Sequence, residues 1–387
     1  MIKKMLAATC IGAAAMAGPA TGQDLTVGFM ATLTGPAAGL GVHMRDGFLL
    51  GVEHAGGTLG GLETEVLVVD DELKPDLAVE RANELIERNE IDIFAGVVFS
   101  NVMMAVFRPV TEAEVFLVSG NAGPSPIAGR RCSPFFFSTS WQNDQNHEVM
   151  GAWAEAQGYE RVFLMAPNYQ AGRDSLTGFK RYFTGEVVDE VYTQLGQLDF
   201  SAELARIAAA QPDALFTFMP GGMGVSLVRQ FDQAGLKDST VFLSAFTVDE
   251  TTLPATQDAA LGLYSAAQWT SDTETEANAR FVEDFVAAYD YAPSLYASQG
   301  YDAALLIDSA VRAVGGDLSD KDALRAAFQA ADFDSVRGDF AFNSNGFPIQ
   351  DFYVTQAVRR IDGDYVMQAV QVAFEDFGDA YASECPL

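Results

Sequence analysis

Leu25-Thr26-Val27-Gly28-Phe29-Met30-Ala31, then Leu33-Thr34-Gly35-Pro36, then apolar positions at helical spacing over 41–55: this opening decides the fold. The first seven residues suit a buried strand, Gly35-Pro36 marks a turn, and the spacing beyond it predicts a helix. The unit then repeats. A strand is predicted over 65–69 and a helix over 74–88, entered through Pro75, and the segments 91–95, 100–109 and 115–119 continue the alternation. Strand alternating with helix implies βαβ units, hence a parallel sheet with helices on both faces.

A second series starts after Trp141. Helices are predicted over 148–157, 171–183, 202–210 and 224–234, with strands over 161–166, 186–192, 214–218 and 241–243. That is a second doubly wound domain behind the first. Segments 135–140 and 263–269 read as strands passing between the two, and helices over 275–288 and 296–314 follow. Residues 336–342 and a hairpin pairing 352–360 with 365–373 around Asp362-Gly363 close the chain. Length agrees, because about 365 residues beyond the leader exceed what one core holds. Hydrophobic residues make up 49%, enough to fill two cores.

The leader, 1–22, reads as an export signal. Lys3 and Lys4 precede an apolar run over 5–17, which Gly18, Pro19 and the small residues Ala20-Thr21-Gly22 end. About thirteen residues are too few to span a bilayer, which needs roughly twenty. Cleavage is expected near Gly22, giving a soluble periplasmic chain; the competing reading is a buried N-terminal helix. Cys10 is a poor lipid anchor, with Thr9 before it and a short apolar run upstream. Net charge is −30, and −32 once Lys3 and Lys4 are removed. So acidic a surface repels phosphate backbones and anionic lipid, which excludes nucleic acid as a partner. Cys132 and Cys385 are then the two remaining cysteines, a plausible disulfide in an oxidising compartment, with two separate thiols as the alternative.

Reactive constellations are missing from the sequence. His43, His54 and His147 are widely spaced, with no paired-ligand spacing, and each reads as a surface or capping residue sooner than a metal ligand. Neither the GxSxG elbow nor the GxxxxGK[ST] phosphate loop occurs. Gly39-Leu40-Gly41 lacks the third glycine of a dinucleotide loop, where Met44 stands, and Gly221-Gly222-Met223-Gly224 fails the spacing. Both read as tight turns into helices. The expectation is a chain with no reactive constellation, metal or cofactor, and not an enzyme.

Several of these features together carry a resemblance: Val27-Gly28-Phe29, Leu33-Thr34-Gly35-Pro36, Gly47, Val69-Asp70-Asp71, Pro75, Ala95-Gly96, Ser100 and Ser119-Gly120-Asn121-Ala122. In order and over nearly the whole chain, they resemble the leucine/isoleucine/valine-binding family of periplasmic receptors, components of ABC transporters. The resemblance implies an α/β type I periplasmic-binding-protein fold: two Rossmann-like lobes joined by three crossovers around a ligand cleft. It implies a first lobe of 24–138 plus 270–331 and a second of 139–269 plus 332–387. It also implies a monomer that works with a membrane permease.

Carried over by position, the first-lobe site falls on Phe99, Ser100, Asn121, Ala122 and Gly123. The second-lobe site falls on Tyr169 to Gly172, including Ala171, on Met219-Pro220 and on Phe246, with Tyr296 near the hinge. Ser100 follows a strand and opens a helix, so its hydroxyl and the local N–H groups suit a carboxylate. A plain N-cap is the other reading of Ser100. Amino-acid-binding members usually carry an acid where this sequence has Phe246, and an unpaired buried ammonium costs several kcal/mol. Asp249 or Glu250 is near enough in sequence to substitute. The stretch Asn121-Ala122-Gly123-Pro124-Ser125, with Cys132 and Pro134-Phe135-Phe136-Phe137-Ser138-Thr139-Ser140-Trp141-Gln142-Asn143-Asp144, resembles the branch that gathers benzoate- or hydroxycinnamate-type acids. The expected ligand is thus a small carboxylate, with a branched-chain amino acid or small amide as the alternative. A sensory module for a membrane partner is the competing role, and a secreted hydrolase lacks any nucleophile–base pair.

Overall fold

Residues 24–387 are described by the computed structural model; the leader with its expected cleavage near Gly22, and Cys10, lie outside the described residues. The first sheet is built from β1 (Leu25–Ala31), β2 (Thr58–Leu59), β3 (Leu62–Asp70), β4 (Ile93–Gly96), β5 (Phe116–Ser119) and β6 (Phe136–Ser138). Its order is β2-β3-β1-β4-β5-β6. Neighbours run parallel except β2, which folds back on β3. β4 and β5 are buried at every position, as strands covered on both faces must be.

The second sheet comprises β7 (Arg161–Pro167), β8 (Glu186–Thr193), β9 (Ala214–Thr217), β10 (Val241–Ala245), β11 (Tyr264–Ala267), β12 (Ala341–Phe342), β13 (Pro348–Arg359) and β14 (Tyr365–Phe377). β8-β7-β9-β10-β11 is parallel, and β13 then joins antiparallel to β11, carrying β12 and β14. Segments 135–140 and 263–269 supply β6 and β11, one strand to each sheet, before the chain crosses over.

Late helices return to the first sheet. Leu295–Ala313 lies along Ala38–His54 with the two backbones in contact. A Cβ on Gly47 would sit 2.0 Å from the Ala297 carbonyl oxygen, and one on Gly300 2.0 Å from that of Met44, so only glycine fits either place. Sequence reading passes over the helix Lys321–Ala330, whose first turn is closed by Asp320 accepting from the Ala323 N–H at 3.0 Å. Its Phe328 stacks on Phe137 of β6, with centroids 5.3 Å apart.

Of 336–342, only Ala341–Phe342 is strand. Residues ahead of it bend instead, because Asp302 accepts from the Val336 N–H at 3.2 Å and pairs with the Arg337 guanidinium at 2.8 Å. Arg337 also donates to the Ser140 carbonyl (3.2 Å) and to Gln350 Oε1 (2.6 Å). This fully partnered buried charge ties two of the crossing segments to the helix Leu295–Ala313. Cys132 and Cys385 are joined in a disulfide, 253 residues apart in sequence, which fastens the C-terminal tail to the loop ahead of β6. No described helix is long and apolar enough to cross a membrane.

Candidate functional site

Loops leaving the carboxyl ends of β4 and β5 in the first sheet, and of β7, β9 and β10 in the second, line one cavity. That edge is where open α/β sheets bind ligands. Gly96 and Ser119 are register partners, so Val98-Phe99-Ser100 and Asn121-Ala122 emerge side by side. The cavity is narrow and opens in part to solvent. Its walls are close together.

The polar end is assembled around Ser100, which opens the helix Ser100–Glu112 and is 2% exposed. Ser100 does not cap the helix: Phe99 holds the cap position and no side chain closes the turn. Instead its Oγ accepts from Asn143 Nδ2 at 3.0 Å, which leaves the hydroxyl hydrogen to be donated elsewhere. A second helix, Gln170–Tyr182, brings Ala171 in its first turn to the opposite wall. First-turn N–H groups have no partner within their own helix, so both ends favour an anion.

Contacts across the cleft hold the halves together. Ser125 Oγ donates to Asp174 Oδ1 (2.7 Å) and its N–H to Oδ2 (3.1 Å), while Asn143, beside Asp174 and bonded to it at 2.9 Å, reaches across to Ser100. The Gly222 N–H donates to the Pro36 carbonyl at 3.1 Å. Burial holds the Asp174 carboxyl above its ordinary range, although four hydrogen bonds oppose that.

Aromatic rings make the rest of the wall. Trp141 stacks on Phe246 with centroids 4.3 Å apart, and Phe218 meets Phe246 edge-on at 6.1 Å. Tyr169 lies parallel to Phe218 at 6.2 Å and beside Phe99 at 6.2 Å, and Tyr296 is 6.4 Å from Phe246. Burial pushes both phenols well above their usual range, so both stay protonated. Val97 and Phe246, each just past a strand end, have φ of 68° and 55°. Non-glycine residues pay of order 1–3 kcal/mol for that region, which the surroundings must enforce.

The wall carries Phe99, Ser100, Asn121, Ala122, Tyr169, Ala171, Pro220, Phe246 and Tyr296 from the sequence expectation. Gly123, Gly172 and Met219 are not on it; the Gly123 N–H donates to Asn143 Oδ1 at 3.0 Å behind the wall. Trp141, Asn143, His147 and Phe218 are wall residues that sequence reading did not assign. Trp141 and Asn143 lie in the stretch quoted for the aromatic-acid branch, and Phe218 adjoins Met219-Pro220, so position alone was a usable signal. His147 is a correction, since it is buried on the cavity wall and neither caps a helix nor meets solvent.

Among the described residues no Asp, Glu, Lys or Arg lines the cavity. Asp249 is off the wall: its Oδ1 accepts from the Thr251 N–H (2.8 Å) and hydroxyl (2.5 Å), its buried Oδ2 has no partner among the described residues, its charge acts on Tyr296 of the wall, and burial raises its pKa. Glu250 is also off the wall, its carboxyl pushed up to about 8 by burial and by Asp249. Among the described residues no group of three or more His, Cys, Asp or Glu is arranged to hold a metal ion.

Similar proteins span the same architecture. A family model described as periplasmic binding protein matches residues 24–363. The Leu/Ile/Val-binding protein homolog 6 of Brucella melitensis is 28% identical over 97% of this chain and 98% of its own. A solute-binding protein of an ABC transporter from R. palustris, solved in complex with benzoate, is 32% identical with a TM-score of 0.88, over 94% of this chain and all (100%) of that one. Another, from Rhodopseudomonas palustris BisB5 in complex with 3,4-dihydroxybenzoic acid, is 29% identical with a TM-score of 0.85, over 91% of this chain and 98% of that one. Two sheets in sequence, a cavity at their facing strand ends and a family match over most of the chain agree: this chain belongs to the periplasmic binding protein family.

Proposed function

We propose that the protein is an extracytoplasmic receptor that captures a small aromatic carboxylate, of benzoate or hydroxycinnamate type, and delivers it as a monomer to the permease of an ABC importer. The observation that carries this reading is a narrow cavity walled by aromatic rings, with hydrogen-bond donors at one end and no charged side chain. Ser100 and the two helix N-termini offer dipoles to a carboxylate, and the rings around Phe246 offer faces to a planar body. A branched-chain amino acid fits less well. Its ammonium would be buried without a carboxylate partner, at a cost of several kcal/mol. The two lobes, 24–138 plus 270–331 and 139–269 plus 332–387, would close on the ligand through the Ser125–Asp174 and Pro36–Gly222 contacts.

Mass spectrometry of small molecules released on denaturing natively purified protein tests the reading directly. An aromatic acid among them supports it, and an aliphatic amino acid in stoichiometric amount contradicts it.

A further inference from the structure

The cavity presents a hydrogen-bond acceptor that a carboxylate cannot use. His147 is 1% exposed and forms part of the wall. Its Nδ1 lies 2.5 Å from the Asn143 carbonyl oxygen, which can only accept. The ring therefore carries its hydrogen on Nδ1 and keeps a lone pair on Nε2. Burial lowers the imidazole pKa to about 3, so the ring is neutral across the physiological range. Among the described residues Nε2 has no partner, and the nearest rings, Phe218 at 5.1 Å and Phe216 and Phe246 each at 5.9 Å, supply none. A second acceptor on the same wall behaves alike. Asn121 Nδ2 donates to the Val98 carbonyl at 2.6 Å, which fixes the amide and leaves Oδ1 without a partner.

We propose that His147 is a specificity-determining residue that accepts a hydrogen bond from a hydroxyl on the ligand ring, so that the preferred ligand is a hydroxylated aromatic acid. This rests on the reading of the cavity as an aromatic-acid site and narrows it. A carboxylate offers only acceptors, and benzoate would leave the imidazole nitrogen buried and unpaired. A phenolic hydroxyl supplies the missing donor, and the neutral ring needs no proton from solvent to receive it. The phenol keeps its own proton, because no cation on the wall favours the phenolate.

Calorimetry with the ligand-free protein against benzoate, 3-hydroxybenzoate, 4-hydroxybenzoate and 4-methoxybenzoate tests this, in two buffers of different ionisation enthalpy. One hydroxybenzoate should bind at least about fivefold tighter than benzoate, the low end of what leaving a buried acceptor unpaired costs. The methoxy compound, which cannot donate, should show no such gain, and no proton should be taken up on binding. His147→Phe should bring the ratio of hydroxybenzoate to benzoate affinity down to about one, and His147→Gln, which keeps an acceptor, should restore part of that ratio. Benzoate binding as tightly as both hydroxybenzoates, or a preference that survives His147→Phe, overturns the proposal. Uptake of a proton with benzoate overturns it too, since the imidazole would then be pairing with the carboxylate. If none of the four acids binds, the aromatic-acid reading itself fails, a different result from a flat series of affinities.

Discussion

Trp141 and Phe246 stack with centroids 4.3 Å apart and planes 21° from parallel, yet they reach that contact from different parts of the chain. Trp141 lies on the segment that first leaves the β6 end, and Phe246 follows β10. A ring laid in this corner has faces on two elements, so truncating Phe246 removes buried area and a stacking partner together. Phe246→Ala should cost an aromatic acid about 2–3 kcal/mol of binding free energy. Titration calorimetry reads this, and an unchanged dissociation constant would remove Phe246 from the site.

Ser100 offers a hydroxyl hydrogen beside a helix N-terminus, with its oxygen already engaged by Asn143. Ser100→Ala should weaken a carboxylate ligand by about 1.5–3 kcal/mol, the usual worth of a charge-assisted hydrogen bond. An amide analogue of the same acid should lose less. Equal losses for acid and amide would give Ser100 a packing role only.

Ser125 and Asp174 bridge the cleft with two hydrogen bonds, one from the hydroxyl and one from the backbone N–H. Ser125→Ala removes only the first. Affinity should fall by about 1–2 kcal/mol, and solution scattering should show a larger radius of gyration at sub-saturating ligand. Wild-type protein should contract on binding. An unchanged radius in both proteins argues for a permanently closed molecule.

Glu148 and Asp144 are buried around Arg181, with 1% and 0% of their side chains exposed. Burial raises their pKa values to about 7 and about 6, against roughly 4 in an unfolded chain. Between those limits the folded state holds protons that the unfolded state has released, so stability falls as pH rises through the window. The unfolding midpoint should be higher at pH 5.5 than at pH 8 by at least about 2–4 °C. Glu148→Gln should flatten the slope. A midpoint that climbs with pH over this range would mean that Arg181 outweighs desolvation.

Local pattern made most of the fold legible. The alternation from Leu25 onward places both sheets because each strand and helix is written in consecutive residues. Lys321–Ala330 was passed over although Leu324 and Phe328 stand at helical spacing behind an Asp320 cap. Residues 336–340 bend under the pull of Asp302, which is more than thirty residues away and invisible to a local reading. The site shows the same division. Ser100 and Phe246 were expected from their positions in the resemblance, and both stand on the cavity wall. His147 was not, because nothing around it in sequence shows that the Asn143 carbonyl fixes its tautomer and Phe218 and Phe246 close over it. Asp249 looked close enough in sequence to replace a missing acid; it stands behind the wall, with one carboxylate oxygen held by Thr251 and the other without a partner among the described residues.

The central claim is that this cavity takes an aromatic acid and excludes an α-amino acid. Calorimetry of the ligand-free wild-type protein against 4-hydroxybenzoate, benzoate, leucine, isoleucine and valine, in one buffer at pH 7, tests it most directly. One-site binding of at least one aromatic acid, with no heat from the three amino acids, is the predicted result. Saturable leucine binding with both aromatic acids silent would contradict it.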